Sequence, residues 1–126
     1  MIFGIGTDIV EYARIEKMHA RYGERFAERV LSDRELAELQ THANPARFIA
    51  KRFATKEAFA KAVGSGLREP VSLRRISTVH DGLGKPVLVF DETLRLHLAQ
   101  LGISGHHLSI SDERNMIVAF VVLETN

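Results

Sequence analysis

The chain has 126 residues, of which 45% are apolar and 26% are charged, and its formal net charge is +1. This composition is typical of a soluble globular protein, and so small a charge gives no reason to expect binding to nucleic acid or to a membrane surface. The absence of cysteine excludes disulfides, zinc–thiolate sites and cysteine nucleophiles.

The first segment, "IFGIGTDIV", is rich in β-branched residues that alternate with small or polar ones, which predicts a strand. Gly4, Gly6 and Asp8 share one face of this strand, and we expect the two glycines to leave open space beside Asp8. The same segment lacks the basic region of a signal peptide. No apolar run approaches the roughly 18 residues of a membrane span. We expect a cytoplasmic protein.

Helices dominate the next part of the chain. Three shorter ones are predicted over "EYARIEKMHARYG", "ERFAERVL" and "SDRELAEL", and a long one begins near Pro45 and runs to about Val63. Ser32 followed by Glu35 is a capping-box pattern. The glycines of Gly64-Ser65-Gly66 end the long helix.

Strands dominate after Pro70. The predicted strands are "VSLRRISTVHD", "VLVF", "HHLSIS" and "MIVAFVVLE", and the last two form an antiparallel hairpin around the polar turn "DERN". One helix, "DETLRLHLAQLG", interrupts them. Early helices and late strands predict a single α+β domain over residues 1–126, with a mainly antiparallel sheet.

The long helix carries the main candidate site. Glu57 is its only acid beside five cations: Arg47, Lys51, Arg52, Lys56 and Lys61. An i,i+4 pair between Glu57 and Lys61 is the ordinary interpretation. However, Lys56 falls inside the apolar face of the helix, where it needs a partner or a cleft. One carboxylate in a basic cluster also suits a polyanion with its Mg²⁺ ion.

Asp8 is the better candidate for a second metal-binding carboxylate, because aspartate is disfavoured on a β-rich strand. The alternative is that Asp8 caps the following helix. Among the histidines, His107 shares a polar strand face with Ser109 and Ser111. It could act as an acid or base, or it could simply be solvated.

Two glycine-containing turns allow a second set of contacts. Gly64 and Ser65 could let backbone N–H groups approach a ligand, although a helix stop is the simpler interpretation. "DGLGKP" is a turn from which Lys85 could reach a phosphate.

Together, "GIGTDIVEYARIE", "RFATKEAFAKAVGSG", "GLGKP" and "HLSISDE" resemble motifs of the bacterial holo-acyl-carrier-protein synthases, which are 4′-phosphopantetheinyl transferases. The resemblance covers nearly the whole chain, in order. It implies the fold of that family and transfer of phosphopantetheine from coenzyme A to a serine of apo acyl carrier protein, with adenosine 3′,5′-bisphosphate as the by-product. It also implies a role in fatty acid biosynthesis and a homotrimer whose active sites lie between neighbouring subunits.

The resemblance places the metal-binding residues at Asp8 and Glu57, the motif lysine at Lys61 and the late histidine at His107. Glu57, Lys61 and His107 are therefore the catalytic candidates. Asp112 stands where the family often has a histidine, which weakens any role at that position. The candidate coenzyme A contacts are Arg52, Lys61, Gly64, Ser65, Lys85 and Pro86.

Acyl carrier proteins are acidic, which gives a function to four cations that recur every three or four residues: Arg14, Lys17, Arg21 and Arg25. They would form a basic stripe if the helix continued, or nearly continued, past Gly23. The stripe is predicted to dock the carrier protein, and a solvated helix face is the alternative. Two rival functions stay open from the residues alone: a Mg²⁺-dependent pyrophosphohydrolase and a non-catalytic oligomeric binding module.

Overall fold

The computed structural model describes residues 1–126. In chain order the elements are β1 (Ile2–Glu11), α1 (Tyr12–Tyr22), α2 (Glu24–Val30), α3 (Asp33–Leu39), α4 (Pro45–Val63), a 3₁₀ turn (Leu73–Arg75), β2 (Ile76–His80), β3 (Pro86–Phe90), α5 (Glu92–Gln100), β4 (Ile103–Asp112) and β5 (Met116–Thr125). The predicted α+β class is confirmed, and each predicted helix and strand is present. The predicted strand after Pro70 begins only at Ile76, because the 3₁₀ turn occupies the residues before it.

The strands form two separate antiparallel sheets. The larger has the order β1-β5-β4 and the smaller pairs β2 with β3. The predicted β4–β5 hairpin is confirmed. Helix α4 packs on the larger sheet, and its buried residues form one core with those of β5. None of the helices is both long and apolar enough to cross a bilayer.

Local signals in the sequence define the ends of α4. The Asn44 side chain accepts a hydrogen bond from the Arg47 backbone, and Pro45 occupies the first turn. Gly64 ends the helix with φ of 94°, a conformation that favours glycine. The predicted capping box is also present, since Ser32 and Glu35 bind each other's backbone N–H groups.

Gly4 and Gly6 do not leave open space beside Asp8, so that expectation is wrong. A Cβ atom at Gly4 would lie 2.0 Å from the Ala62 carbonyl oxygen, and one at Gly6 would lie 2.0 Å from the Ala58 carbonyl oxygen. The backbone of α4 fills the space instead. The two glycines are needed because the strand and the helix touch backbone to backbone.

We expect Gly6→Ala to lower the free energy of unfolding by about 1–3 kcal/mol, because the new methyl group must push a helix backbone away. Gly105→Ala is the matched control, since its Cβ would meet no atom closer than 3.9 Å. Urea unfolding midpoints measure both. Equal midpoints for the two variants would contradict the close approach of α4.

On the other face of the larger sheet, the part formed by β1 and β5 is largely apolar and uncovered. Ile5, Ile9 and Phe120 are 60%, 61% and 43% exposed. Side chains on this face point away from α4, because neighbouring positions on a strand alternate between faces. A contiguous apolar surface of this kind is typical of a contact with another protein surface.

Candidate functional site

Strand β1 and helix α4 bring three of the predicted site residues together. The Lys61 ammonium donates to the Asp8 carboxylate at 3.0 Å and to the Thr7 carbonyl oxygen at 3.1 Å. Asp8 in turn lies close enough to Glu57 for its negative charge to affect the Glu57 carboxyl group. The close contact of the two backbones therefore places Asp8, Glu57 and Lys61 at one site.

Glu57 is a half-buried carboxylate with no hydrogen bond or ion pair to the protein. Burial raises its pKa, and the charge of Asp8 raises it further, while Lys61 and Arg14 oppose the shift. The i,i+4 pair with Lys61 is not formed, since Lys61 binds Asp8 instead. Asp8 does not cap α1 either, because Glu11 occupies the N-cap position.

The pair of carboxylates suits a hard divalent cation. Two neighbouring negative charges, one of them without a partner, are stabilised by a cation between them. No cluster of three or more potential ligands is present. Mg²⁺ is commonly bound by one or two carboxylates, with phosphate oxygens and water completing its shell, so the residues present fit this ion.

The cations of α4 do not form one basic cluster, so that interpretation is wrong. Arg47 and Lys51 both pair with Asp112, at 2.5 and 3.8 Å. Arg52 and Lys56 pair with Glu35 on another side of the helix. Only Lys61 lies beside Glu57, because a helix distributes closely spaced residues around its circumference.

Lys56 binds a buried carboxylate rather than a ligand. Its ammonium is fully buried and donates to Glu35 Oε1 at 2.6 Å and to the carbonyl oxygens of Val30 and Leu73. Burial lowers its pKa to about 8, although Glu35 opposes that shift. The prediction that this lysine needs a partner is confirmed, but sequence reasoning did not identify Glu35. The sequence signal for this buried ion pair is the lysine on an apolar helix face.

Arg52 lies in the same network. It is 3% exposed, pairs with Glu35 and Glu38 at 3.3 and 3.4 Å, and stacks over Phe48. A nucleotide could reach this guanidinium only if these contacts changed. Its predicted contact with coenzyme A therefore has no support from the single chain.

The remaining candidates for coenzyme A binding lie in two places. Gly64 and Ser65 follow the end of α4, about 20 Å along the helix axis from Arg52. Lys85 is exposed on the β2–β3 turn, where Asp81 accepts hydrogen bonds from two backbone N–H groups, and Pro86 begins β3. Within one chain, therefore, Arg52, Ser65 and Lys85 do not line a common binding site.

His107 lies on the other face of the larger sheet from Asp8. Asp8 pairs with Ala119, which is buried against α4, and His107 pairs with Val122 on the alternate face. The His107 imidazole binds the Glu124 carboxylate there. His107 and Glu57 therefore do not meet within one chain.

The predicted basic stripe is interrupted. Gly23, with φ of 56°, separates α1 from α2, so the helix does not continue past it. Arg14, Lys17 and Arg21 line one shallow cavity on α1, and Arg25 lines a neighbouring one. Met18 and Tyr22 belong to both cavities. All four cations are exposed and lack an acidic partner, which leaves them available to an acidic surface.

Comparison with known proteins identifies the family. The sequence model of the 4′-phosphopantetheinyl transferase superfamily matches residues 4–120. The chain belongs to this superfamily. It is 55% identical over 124 residues to the holo-[acyl-carrier-protein] synthase of Nitrosospira multiformis, a match that covers 98% of this chain and 99% of that one. The family suggested by the sequence motifs, and with it the assignment as an enzyme of that family, is confirmed.

Solved structures of the family have the same fold. The holo-[acyl-carrier-protein] synthase of Neisseria meningitidis superimposes with a TM-score of 0.97 at 49% identity, over 99% of this chain and 100% of that one. The enzyme of Bacillus anthracis, solved in complex with coenzyme A (3′,5′-ADP), gives 0.83 at 39% identity, over 100% and 99% of the two chains. The predicted family fold is thereby confirmed.

Proposed function

We propose that this protein transfers the 4′-phosphopantetheine group of coenzyme A to a serine of apo acyl carrier protein in a Mg²⁺-dependent reaction. The by-product is adenosine 3′,5′-bisphosphate, and the modified carrier protein serves fatty acid biosynthesis. The observation that carries this proposal is the unpaired Glu57 carboxylate beside Asp8 and Lys61, in a chain of this family. The N. multiformis relative has the corresponding name, and the holo-[acyl-carrier-protein] synthase of Helicobacter pylori was solved in complex with coenzyme A.

Each residue of the site has a distinct task in this reaction. Asp8 and Glu57 would hold Mg²⁺, which would neutralise the charge that develops as the diphosphate is broken. Lys61 lies beside Asp8 and can donate to a phosphate oxygen, since its ammonium is a compact charge on a flexible stem.

The serine hydroxyl must lose its proton as its oxygen attacks phosphorus and the bond to adenosine 3′,5′-bisphosphate breaks. Glu57 is the candidate base, either directly or through a water molecule at the metal. His107 is the second candidate, and it requires another copy of the chain because it lies on the opposite face of the sheet.

Intact-mass spectrometry of an apo acyl carrier protein tests the proposal directly. Incubation with this protein, coenzyme A and Mg²⁺ should add one phosphopantetheine group, and omission of Mg²⁺ should abolish the addition. Release of free phosphopantetheine without modification of the carrier protein would indicate a hydrolase instead. No reaction and no Mg²⁺-dependent binding of coenzyme A would indicate a non-catalytic module.

We also propose that the exposed cations of α1 and α2 dock the acidic carrier protein. The double change Lys17→Glu and Arg21→Glu should raise the KM for carrier protein about tenfold, because both attractive charges become repulsive. It should leave the KM for coenzyme A unchanged. Arg14 is left unchanged in this variant, because its charge also affects the Glu57 carboxyl group.

Steady-state kinetics at several salt concentrations measure this effect. Salt should raise the KM for carrier protein in the wild-type protein, because it screens the attraction between the cations and the acidic partner. The rise should be smaller in the variant, which has lost two of the attractive charges. Arg34→Glu is the matched control, an exposed cation on α3 without an acidic partner. An unchanged KM in the double variant, or an equal rise in the control, would refute docking at this surface.

The proposed assembly is a homotrimer with shared active sites. It is supported by the exposed apolar residues of β1 and β5 on the outer face of the larger sheet and by the position of His107 on that face, away from Glu57. Sedimentation equilibrium should give three times the chain mass. Phe120→Asp should dissociate the assembly and abolish transfer, because it places a charge in an apolar contact. A monomeric wild-type protein with full activity would contradict the shared site.

A further inference from the structure

Side chains, rather than neighbouring strands, bind both edges of the small β2–β3 sheet. Thr78 and Leu88 are cross-strand partners in this sheet. The backbone N–H of Thr78 donates to Glu35 Oε2 at 3.0 Å on one edge. The backbone N–H of Leu88 donates to His106 Nε2 at 3.0 Å on the other edge. A single residue pair therefore fixes the hairpin from two sides.

The contact with His106 is the only hydrogen bond between the two sheets. His106 lies on the inner face of β4, and its ring meets Phe90 of β3 edge-on at 5.9 Å. An imidazole nitrogen accepts a hydrogen bond only when it carries no proton. The Leu88 contact therefore requires a neutral His106 with its proton on Nδ1.

Protonation of His106 would remove this acceptor and turn Nε2–H towards the Leu88 N–H. Few charges surround the ring: His107 follows it on β4, and Arg95 of α5 lines the same cavity, paired with Glu92. Strand β3 carries no titratable side chain, and α4 contributes Phe59 through its contact with Phe90. Burial and the charge of His107 lower the pKa of His106.

We propose that His106 is a positioning residue that, as a neutral imidazole, holds the β2–β3 hairpin against the larger sheet and releases it when protonated. The tip of this hairpin carries Lys85, and Pro86 begins its second strand. Given the proposed function, on which this step rests, release of the hairpin weakens the binding of coenzyme A and leaves the charge state of Glu57 unchanged. The Glu35 contact persists, so the hairpin loosens without unfolding.

Amide hydrogen exchange tests the contact without any enzymatic assay. In the wild-type protein, the protection factor of the Leu88 amide, corrected for intrinsic exchange, should fall about tenfold between about pH 7.5 and the acidic pH at which His106 is protonated. That pH lies below the ordinary titration range of histidine, because the pKa of His106 is lowered. Nitrogen NMR of labelled histidine should show His106 with its proton on Nδ1 at the higher pH. A proton on Nε2, or protection of Leu88 that does not follow the titration of His106, would overturn the proposal.

Two variants distinguish the contribution of the hydrogen-bond acceptor of His106 from that of its aromatic ring. His106→Gln keeps an acceptor oxygen that does not titrate, so Leu88 protection should be independent of pH. His106→Phe keeps an aromatic ring and removes the acceptor, so protection should be low at both pH values. Equal protection in all three proteins at the higher pH would overturn the proposal.

Kinetics then test the positioning role. His106→Phe should raise the KM for coenzyme A about fivefold with little change in kcat, and His106→Gln should restore it, as expected for loss of uniform binding. An unchanged KM in His106→Phe would overturn the positioning role. A wild-type protein without transferase activity, but with the predicted exchange behaviour, would refute the proposed function and leave the His106 contact standing.

Discussion

Glu57→Gln is expected to abolish transfer to the carrier protein without destabilising the fold. We expect kcat to fall by about 10³-fold, equivalent to about 4 kcal/mol of transition-state stabilisation, because the variant loses one of two charges that hold the cation. Stability should be unchanged or slightly higher at neutral pH. Glu57 makes no stabilising contact, and its raised pKa shows that the folded protein disfavours its charged form.

Mass-spectrometric rate measurements and urea unfolding of the same samples test both halves of this prediction. Glu28→Gln is the matched control, because Glu28 is exposed on α2 and makes no ion pair. A variant with near wild-type activity would remove Glu57 from the site. A variant that lost activity only in proportion to lost stability would assign Glu57 a structural role.

Glu35→Gln is expected to have the opposite signature, a large loss of stability. Glu35 is fully buried and pairs with two cations, Lys56 at 2.6 Å and Arg52 at 3.3 Å. Removing its charge leaves the buried Lys56 ammonium without an acidic partner and leaves Arg52 with Glu38 alone, which costs about 3–5 kcal/mol of unfolding free energy. Glu38→Gln is the control, because Glu38 is 47% exposed at its side chain and should cost less than about 1 kcal/mol.

The double variant Glu35→Gln, Lys56→Met tests the cause of this loss. Replacing the unpaired Lys56 ammonium with an apolar side chain should recover part of the stability lost by Glu35→Gln alone. Urea unfolding of the single and double variants gives the coupling between the two sites. Additive losses would show that the ion pair is not responsible. The carboxylate also binds the Thr78 N–H, so its loss should loosen the hairpin as well.

The sequence predicted the elements of the fold because their signals are local. The capping box at Ser32, the glycine after α4 and the alternation in β4 and β5 each depend on a few neighbouring residues. The start of β2 is not predicted correctly, because "SLRR" alternates only loosely and its last three residues form a 3₁₀ turn.

The relations between elements could not be predicted in the same way. Gly4 and Gly6 lack a Cβ atom, and the sequence does not tell whether a ligand or another backbone fills that space. Lys56 required an acid, but the chain contains 16 acidic residues, and only the three-dimensional position of α3 brings Glu35 to Lys56. The sequence correctly predicts that His107 lies on a polar face of its strand. Only the register of the sheet shows that Asp8 lies on the opposite face of that sheet.

The contact between the backbones of β1 and α4 has a consequence for redesign of the site. Asp8 and Glu57 lie on two backbone segments in direct van der Waals contact, so their separation is set by that contact rather than by adjustable side-chain packing. Substitutions in the surrounding core cannot widen or narrow this spacing gradually. We therefore expect variants selected for altered coenzyme A analogues to carry their changes in the β2–β3 turn and in the loop after α4, where a Cβ added at the glycines would meet no other atom within 4 Å.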